Sequence, residues 1–326
     1  MKEVTLFFRA KDYEYSIEKV FYTIANTLNL HDYKYLPFFR ITFVNMLKNV
    51  CYILKNTNRN GINHVTGDIH YAILFMLHAK TVLTIHDLVL LNSKNRLKRF
   101  VFKYIWYYFP IKCADFVTCI SKKTKNDLVS LLGINPKKIV VIPNPVGADF
   151  NYKPRSFNEE CPVILHIGTR ENKNLLRVIQ SLQDIRCKLR VIGKLTQEHF
   201  NLLKKCGIDF DNFFDLSDSD IVREYENCDI VSFPSTYEGF GMPIIEGQAV
   251  GRVVLTSKLE PMESISDKGA VFVNPYDVES IRQGFKLIIS DSNLRERVIK
   301  DGLNNALKYR PDYIAKQYAN IYAELS

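Results

Sequence analysis

The sequence predicts an α/β protein made of two domains, each built around a parallel sheet. The chain has 326 residues, about twice a common domain size of roughly 150 residues. Short apolar strands alternate with helices in both halves, which is typical of parallel sheets. A Pro-containing segment at 142–155, IPNPVGADFNYKPR, separates the halves and indicates a linker. We therefore expect one domain over 1–150 and a second over 151–326.

In the first half, short runs rich in β-branched and aromatic residues indicate strands, and longer amphipathic stretches indicate helices. The predicted strands are Glu3–Phe8, Asn63–Val65, Thr81–Ile85, Phe116–Ile120 and Ile139–Ile142, and the predicted helices are Ser16–Leu28, Asn95–Phe109 and Ser121–Leu132.

The second half repeats this alternation and ends in three helical segments after Asp277. The predicted strands are Pro162–Ile167, Lys188–Ile192, Asp209–Phe213, Asp229–Phe233, Val253–Thr256 and Ala270–Val273, and the helices before Asp277 are Asn172–Leu182, Gln197–Lys205, Asp218–Asn227 and Met242–Val250. Ligands of such sheets bind at the carboxyl ends of the strands. We therefore expect the site in a cleft that the two domains face.

Composition excludes several classes of protein. Apolar residues make up 47% of the chain and charged residues 24%, as in ordinary globular proteins. The longest apolar runs are well short of the ~20 residues that span a membrane, and the charged N-terminus is unlike a signal peptide. The seven cysteines include no CxxC pair, which favours reduced thiols and a cytoplasmic protein.

Charge divides unequally between the halves. Residues 1–150 contain 21 lysines and arginines against 10 aspartates and glutamates, and the whole chain has a net charge of +9. Such an asymmetry predicts that the first half meets a polyanion, either nucleic acid or an anionic membrane surface.

The segment PSTYEGFGMPIIEGQAVG at 234–251 is the strongest candidate for a ligand site. It follows a buried-type strand and opens a helix, whose free N–H groups suit a phosphate. Glu238 precedes a Gly-Phe-Gly turn and could accept hydrogen bonds from hydroxyl groups, whereas Glu246 lies about two helical turns further on and could hold a ribose diol. The alternative is a glycine-rich loop with two solvated glutamates.

The segment HIGTRENKN at 166–174 follows the first strand of the second domain. Arg170 and Lys173 lie there in a polar loop that opens a helix, and two cations at a helix N-terminus match a diphosphate. Ordinary surface cations are the alternative.

Together these segments resemble the retaining glycosyltransferases of family 4, which have the GT-B fold, of the bacterial surface-polysaccharide type. The resemblance includes CADFVTCISKKTKNDL, IPNPV, AVGRVVLTS and GAVFVNPYDVESI, in the family's order. It implies two Rossmann-like domains, an N-terminal acceptor domain, a C-terminal nucleotide-sugar domain, and a final helix at about 311–326 that crosses back. It also implies that Glu238 contacts the donor sugar, Glu246 the ribose, and Arg170 and Lys173 the diphosphate. The backbone lining the sugar and phosphates would be that of Gly239, Phe240, Gly241 and Met242.

The first half carries a weaker resemblance. TIHDLV at 84–89 is similar to the family's strand that ends in a histidine, which implies that His86 reaches the transferred sugar from the opposite side of the cleft. A core histidine with satisfied hydrogen bonds is the alternative. HVTGDIHY at 64–71 resembles a segment near the acceptor side, which would place Asp68 and His70 there, and Asp87 directly follows His86. For these three residues, helix capping and core polar networks are favoured over a role on the acceptor side. The family's Gly-Gly loop after the first strand is absent, so either Arg9 and the Ser16 helix replace it or the second domain holds the donor.

A basic, aromatic stretch occupies residues 94–112. Six cations alternate there with seven aromatic residues in KNRLKRFVFKYIWYYFPIK. An amphipathic helix of this kind suits an anionic bilayer, although nucleic acid or a solvated core helix would also match. The resemblance favours the membrane and predicts a protein on the inner face of the bacterial membrane.

The sequence therefore predicts a metal-independent hexosyltransferase without a cofactor, in O-antigen, lipopolysaccharide, capsule or similar polysaccharide biosynthesis. The donor is a UDP- or GDP-sugar and the acceptor a hydroxyl of a glycan or lipid-linked glycan. Asp218-Ser219-Asp220 resembles a metal-binding DxD, but Ser217 as N-cap favours a helix start. A nucleotide-sugar epimerase and a non-catalytic scaffold are the alternatives, and no nucleic-acid motif is present.

Overall fold

A computed structural model describes residues 3–11, 16–38, 40 and 42–326. The chain divides into two compact units, of which the first contains Met1–Pro145 and Pro311–Ser326 and the second Val146–Arg310. Each unit contains one six-stranded sheet, and every strand pair in both sheets is parallel. The predicted fold class of two parallel-sheet α/β units is confirmed.

The sheet of the first unit has the order β2-β1-β3-β4-β5-β6. Its strands are β1 (Val4–Phe8), β2 (Asp32–Tyr35), β3 (Ile62–Val65), β4 (Lys80–Ile85), β5 (Phe116–Cys119) and β6 (Ile139–Val141). The α-helices between them are α1 (Ser16–Leu28), α2 (Phe43–Asn56), α3 (Arg96–Val101), α4 (Phe109–Cys113) and α5 (Lys122–Leu132). Short 3-10 segments lie at His70–Phe75, Val89–Asn92 and Pro136–Lys138, and a π-helix at Phe102–Tyr108.

The sheet of the second unit has the order β12-β11-β10-β7-β8-β9. Its strands are β7 (Val163–Ile167), β8 (Lys188–Ile192), β9 (Asp209–Phe213), β10 (Ile230–Phe233), β11 (Val253–Ser257) and β12 (Val271–Val273). Its α-helices are α6 (Leu175–Leu182), α7 (Gln197–Lys205), α8 (Asp218–Asn227), α9 (Met242–Val250), α10 (Met262–Ser266), α11 (Val278–Ser290) and α12 (Ser292–Ala306). Two 3-10 segments lie at Glu171–Lys173 and Leu307–Tyr309.

The last helix, α13 (Pro311–Leu325), belongs to the first unit although it follows the second in sequence. Its buried residues Ile314, Tyr318 and Tyr322 pack in the same apolar cluster as β1 and α1. The Tyr322 hydroxyl lies 2.7 Å from Nδ1 of the buried His64, whose Nε2 lies 2.8 Å from the Thr84 hydroxyl. The helix is therefore part of the core of the first unit.

The strands β1, β10 and β11 were predictable because they are buried on both faces and so read as largely apolar runs. Helix ends follow equally local signals: the Ser121 side chain caps α5, and Gly133 ends it with a φ of 65°. Ser217 accepts a hydrogen bond from the Asp220 N–H, which confirms that the DxD-like segment starts a helix.

Two elements lie where the sequence pattern predicts nothing, between residues 29 and 62. The strand β2 is short and half-buried along its whole length. The helix α2 buries one face but leaves Val44, Leu47 and Leu54 more than half exposed. Because apolar residues lie on both faces of α2, the sequence lacks the one-sided apolar repeat of an amphipathic helix. The helix was therefore not predicted.

The predicted helix at Asn95–Phe109 is longer and less regular than expected, since α3, the π-helix and α4 run on to Cys113. Pro110 has no N–H to donate to the Trp106 carbonyl, four residues earlier. That carbonyl instead accepts a hydrogen bond from His70 Nδ1 at 3.1 Å.

Candidate functional site

The donor-site candidates of the second unit lie after β7 and β10, which are neighbours in its sheet. Both loops leave the carboxyl ends of their strands, so the two polar segments approach each other at one edge. The Lys173 ammonium lies 2.7 Å from Glu238 Oε1, and both side chains are partly exposed. The structure therefore brings together two residues that are 65 positions apart in sequence.

Lys173 also lies over the ring of Phe233, the last residue of β10, with 4.7 Å between Nζ and the ring centroid. A cation beside an aromatic face and a carboxylate is held by two attractions. Its alkyl chain packs on Gly168, where an added Cβ would come within 2.8 Å of Lys173 Cγ. Since Gly168 has a φ of 93°, the loop needs glycine for its backbone and for this contact.

Two asparagines that the sequence analysis did not single out join the loops after β7 and β10. The Asn172 side chain donates to the Tyr237 carbonyl at 2.9 Å and to Glu238 Oε1 at 3.3 Å. Asn174 is buried and donates to the carbonyls of Pro234 and Pro275 at 2.9 and 2.6 Å. It has a φ of 67°, which asparagine tolerates better than most residues. That tolerance, within the run ENKN, is the signal that could have identified it.

The Gly-Phe-Gly turn leads directly into α9. Gly241 has a φ of 122° and precedes the first helical residue, Met242. The Phe240 ring is buried and packs edge-on against Tyr309 at 5.9 Å. The side chain of Phe240 therefore belongs to the core, and a ligand can contact this residue only through its backbone. Pro243 has no N–H, so the α9 terminus offers one donor fewer than an ordinary helix.

The other two donor candidates are Arg170 and Glu246. Arg170 is exposed and directly precedes the 3-10 segment Glu171–Lys173. The first predicted helix of this unit thus begins as a 3-10 turn and becomes α-helical only at Leu175. Glu246 is partly exposed on α9 and accepts a short hydrogen bond from the Tyr225 hydroxyl. Burial raises the pKa of Tyr225 well above its ordinary value, so the phenol is the donor.

In the first unit, Arg9 follows β1 and is almost fully buried. Its guanidinium contacts Glu18 through two nitrogens, at 2.8 and 3.1 Å, and Asp68 through a third at 2.7 Å. Two carboxylates therefore already compensate the guanidinium charge of Arg9, the residue considered as a replacement for the missing glycine loop. Residues 12–15 of that loop lie outside the described part of the chain.

His86 follows β4 and is buried against the loop after β3. Its Nε2 donates to the Thr66 carbonyl at 2.8 Å, which leaves Nδ1 as the acceptor nitrogen of a neutral ring. Burial lowers the pKa of His86. Gly67 fits flat against the ring, since a Cβ there would lie 2.6 Å from His86 Cδ2. The imidazole is held in one tautomer and one orientation.

The remaining acceptor-side candidates are occupied by contacts within the first unit. Asp68 has a φ of 54° and pairs with Arg9. Burial lowers the pKa of His70 to about 4, and its Nε2 is buried without a hydrogen-bond partner among the described residues. Asp87 accepts from the Val89 N–H at 2.9 Å, and burial raises the pKa of its carboxyl. The structure places all three at the carboxyl edge of the sheet.

The basic–apolar surface, defined here as residues 94–112, combines cations with exposed apolar side chains. Leu97 and Phe100 are 72% and 60% exposed, while Trp106 and Tyr107 are buried. Lys94, Arg96, Lys98 and Arg99 are exposed beside them. Within the described residues, no helix has both the length and the apolar character needed to cross a bilayer. The same residues contain no cluster of three or more His, Cys, Asp or Glu suited to a metal.

Comparison with known proteins identifies the family. The family described as "Glycosyltransferase Family 4" matches residues 3–150, and the one described as "Glycosyl transferases group 1" matches residues 149–304. The two matches cover nearly the whole chain, one in each unit.

Three similar proteins illustrate the family. A Campylobacter jejuni relative, named N,N'-diacetylbacillosaminyl-diphospho-undecaprenol alpha-1,3-N-acetylgalactosaminyltransferase, is 31% identical over 32% of this chain and 28% of its own length. The O-antigen chain mannosyltransferase B of Escherichia coli is 23% identical over 74% of this chain and 70% of its own length. The match to the Campylobacter protein therefore spans less than a third of that protein's length. The Anabaena protein HepE, solved in complex with UDP and glucose, superposes with a TM-score of 0.82 at 13% identity, covering 99% of this chain and 100% of that one.

Both halves match family sequences, and the whole chain superposes on a solved member of the same architecture. The chain belongs to glycosyltransferase family 4 and has the GT-B fold.

Proposed function

We propose that this protein is a retaining hexosyltransferase that uses a nucleotide diphosphate sugar, UDP- or GDP-linked, and needs no metal. The observation that carries the proposal is the Lys173–Glu238 pair at the carboxyl edge of β7 and β10. A cation beside a carboxylate at a helix N-terminus provides for both parts of such a donor, its diphosphate and its sugar hydroxyls.

The donor binds through the second unit. Lys173 and Arg170 contact the diphosphate together with the backbone from Gly239 to Met242. Glu238, held by Asn172, accepts hydrogen bonds from the sugar. Glu246 accepts from the ribose. Negative charge gathers on the departing diphosphate, and the cations and the α9 terminus stabilise it.

Transfer breaks the bond between the anomeric carbon and the diphosphate oxygen and forms one to the acceptor oxygen. The acceptor attacks from the face that the diphosphate leaves, and its proton passes to a diphosphate oxygen. His86 orients the sugar through Nδ1, because its Nε2 is committed to Thr66. A neutral, fixed imidazole is suited to this positioning.

The acceptor is a hydroxyl of a glycan or lipid-linked glycan in polysaccharide biosynthesis. The names of the Campylobacter and E. coli relatives, which act on a diphospho-undecaprenol saccharide and an O-antigen chain, support this class. We place Asp68, His70 and Asp87 near it, on the edge that also carries His86.

Binding of nucleotide diphosphates tests the donor site. Isothermal titration of UDP and GDP is expected to show one of them binding wild type, and Glu246→Gln to weaken that binding about tenfold. Glu296→Gln, an exposed change on α12, is the control and retains wild-type affinity. Binding of neither diphosphate would contradict the proposal. Product formed from a nucleotide sugar without any acceptor would indicate an epimerase instead.

We further propose that the basic–apolar surface attaches the protein to the anionic inner face of the membrane. Leu97 and Phe100 insert among the acyl chains while the neighbouring cations contact headgroups. In flotation with phosphatidylglycerol vesicles, a Lys98→Gln/Arg99→Gln variant is expected to lose most of its recovery. The matched Lys204→Gln/Lys205→Gln change on α7 leaves it intact. Equal recovery of wild type with neutral vesicles would contradict an electrostatic attachment.

A further inference from the structure

The helix α2 exposes one continuous stripe of apolar side chains. Val44, Leu47 and Leu54 are each more than half exposed. Cys51 is exposed as well and lies between the two leucines. The spacing of these four positions is three, four and three residues, which places their side chains on one side of a helix. We call this set the α2 stripe. A contiguous apolar surface of this kind indicates a docking surface, whereas single exposed apolar residues do not.

The opposite side of α2 is fixed to the core, and this sets the rotation of the helix. Ile53 is completely buried. The side chain of Asn49, also buried, accepts from the Phe38 N–H at 3.1 Å and donates to the Phe38 carbonyl at 2.8 Å. The same amide donates to the Tyr71 hydroxyl at 3.1 Å. Because these contacts hold the inner side, the α2 stripe faces away from the core of its unit.

Tyr71 joins α2 to the basic–apolar surface. Its ring packs on that of Trp106, with 4.9 Å between centroids, and both rings belong to the apolar cluster to which α2 contributes. In β1, Phe7 belongs to this cluster, whereas Phe8 belongs to the cluster of α1 and α13. Successive residues of a strand point to opposite faces of a sheet. The α2 stripe and the basic–apolar surface therefore belong to helices that pack on the same face of the sheet.

Both segments lack acidic residues. Residues 33–67 and 88–114 contain no aspartate or glutamate, but they contain five and six lysines and arginines respectively. Lys48 and Lys55 are exposed beside the stripe, each one position after a leucine of it. Their alkyl chains can lie along apolar surface while the ammonium groups stay in a polar layer. This combination matches a partner that is apolar inside and anionic at its surface.

A second copy of the chain matches the stripe less well. Two α2 helices packed stripe to stripe would bring Lys48 and Lys55 of one copy close to the lysines of the other. The helix has no acidic residue that could pair with them. Like charges at a contact oppose association, whereas the headgroups of an anionic bilayer attract the same lysines. Charge therefore favours the bilayer as the partner.

We infer that α2 is a second membrane-contacting element, whose stripe enters an anionic bilayer beside the basic–apolar surface. The inference rests on the proposed membrane attachment and extends it from one contact to two. A single contact would leave the first unit free to rotate about it. Two contacts on the same face of the sheet determine which face of the first unit is turned toward the membrane.

Quenching by brominated lipids tests whether α2 enters the bilayer. Leu54→Trp places an indole in the stripe, and Leu287→Trp, at an exposed position of α11 in the second unit, is the matched control. Each full-length variant is mixed with phosphatidylglycerol vesicles with and without bromine on the acyl chains. Wild type gives the baseline of the buried Trp106. We expect brominated vesicles to quench about half of the added fluorescence of Leu54→Trp and none of that of Leu287→Trp.

Polar substitutions measure how much the stripe contributes to binding. Leu47→Gln/Leu54→Gln changes side chains that are already more than half exposed, so the urea midpoint should stay close to that of wild type. Partitioning onto phosphatidylglycerol vesicles is expected to weaken about tenfold, because less apolar surface enters the bilayer. The matched Leu287→Gln/Leu307→Gln change, at exposed positions of the second unit, is expected to keep wild-type partitioning.

The possible results separate α2 from the basic–apolar surface. Unquenched Leu54→Trp and normal partitioning of Leu47→Gln/Leu54→Gln, with partitioning lost in Lys98→Gln/Arg99→Gln, would overturn the inference and leave the proposed attachment intact. Failure of wild type to bind the vesicles would overturn both. A wild-type dimer in sedimentation equilibrium that becomes monomeric in Leu47→Gln/Leu54→Gln would show that the stripe contacts a second copy of the chain instead.

Discussion

The carboxyl edges of the two sheets carry polar side chains of opposite character. In the first unit two of them, Arg9 and His86, are buried and already paired: Arg9 is bound to two carboxylates, and His86 donates to a backbone carbonyl. In the second unit Lys173 and Glu238 pair with each other while both remain partly exposed. The first edge can orient an uncharged ligand with little rearrangement. The second offers charges that a diphosphate can recruit.

Removal of one cation from each edge would give the largest difference between the two edges, in unfolding free energy and in nucleotide diphosphate binding. Arg9→Met leaves Glu18 buried without its cation, which costs about 3–5 kcal/mol of unfolding free energy. Lys173→Met breaks a partly exposed pair and costs about 1 kcal/mol or less, but it weakens nucleotide diphosphate binding at least tenfold. Urea unfolding and titration calorimetry measure the two effects.

The exposed Arg59→Met is the control for both measurements and changes neither. Equal losses of stability in the Arg9 and Lys173 variants would show that the two edges do not differ as described.

Acid is expected to affect the first unit more than the second. Burial lowers the pKa of His64 to about 3 and of His70 to about 4, and that of His86 is lowered too. These rings are neutral when folded and take up protons on unfolding, so stability is complete above the unfolded pKa near 6.5 and declines below it. In the second unit burial lowers the pKa of His166 to about 3 and also lowers that of His199, so this unit contributes two such histidines against three in the first.

From pH 7 to 5.5, His64 and His70 together cost about 2.5 kcal/mol of unfolding free energy, and the lowered pKa of His86 adds to that loss. Trp106 is the single tryptophan of the chain, so its fluorescence reports on the first unit alone, whereas circular dichroism reports on both. As the pH falls, the urea midpoint measured by fluorescence should decrease further than the midpoint of the second unit. Circular dichroism detects that second transition, which fluorescence does not. A fluorescence midpoint that does not move with pH would contradict neutral buried histidines. The exposed His31→Gln serves as the control and keeps the wild-type pH dependence.

The smallest expected effect concerns the second edge, where Asn172 helps to hold Glu238. Asn172→Ala removes the amide that donates to the Tyr237 carbonyl and to Glu238. Without these hydrogen bonds Glu238 is less well oriented, which should cost about 1 kcal/mol of transition-state stabilisation. This predicts a fall of roughly fivefold in kcat/KM for the nucleotide sugar. Steady-state kinetics beside the exposed Asn293→Ala on α12 would measure it. An unchanged kcat/KM would mean that Lys173 alone sets the position of Glu238.

How much the sequence predicted depended on how local each signal is. The parallel strands, the Ser217 cap and the glycine turn at Gly241 are set by residues close together in the chain, and all were predictable. The contact between Arg9 and Asp68 joins positions 59 apart, so no local pattern records it. The Tyr225–Glu246 contact likewise depends on how α8 and α9 pack.

The helical stretch from Arg96 to Cys113, which contains Pro110, shows a third case. Its amphipathic composition was clear from the sequence. Its π-helical segment was not, because it is related to where the Trp106 carbonyl finds a hydrogen-bond donor in place of Pro110. That carbonyl finds its donor in His70, 36 positions away. Propensity alone cannot supply such a partner, because it comes from another element.

The position of α13 in the core of the first unit has a consequence for biosynthesis. Domains generally fold in the order in which the ribosome releases them. Here the second unit is continuous and can complete its core while α13 is still inside the ribosome. The first unit has all of its strands earlier but receives Tyr318 and Tyr322 only after the whole of the second unit has been made. The half that is translated first is therefore the half that finishes folding last.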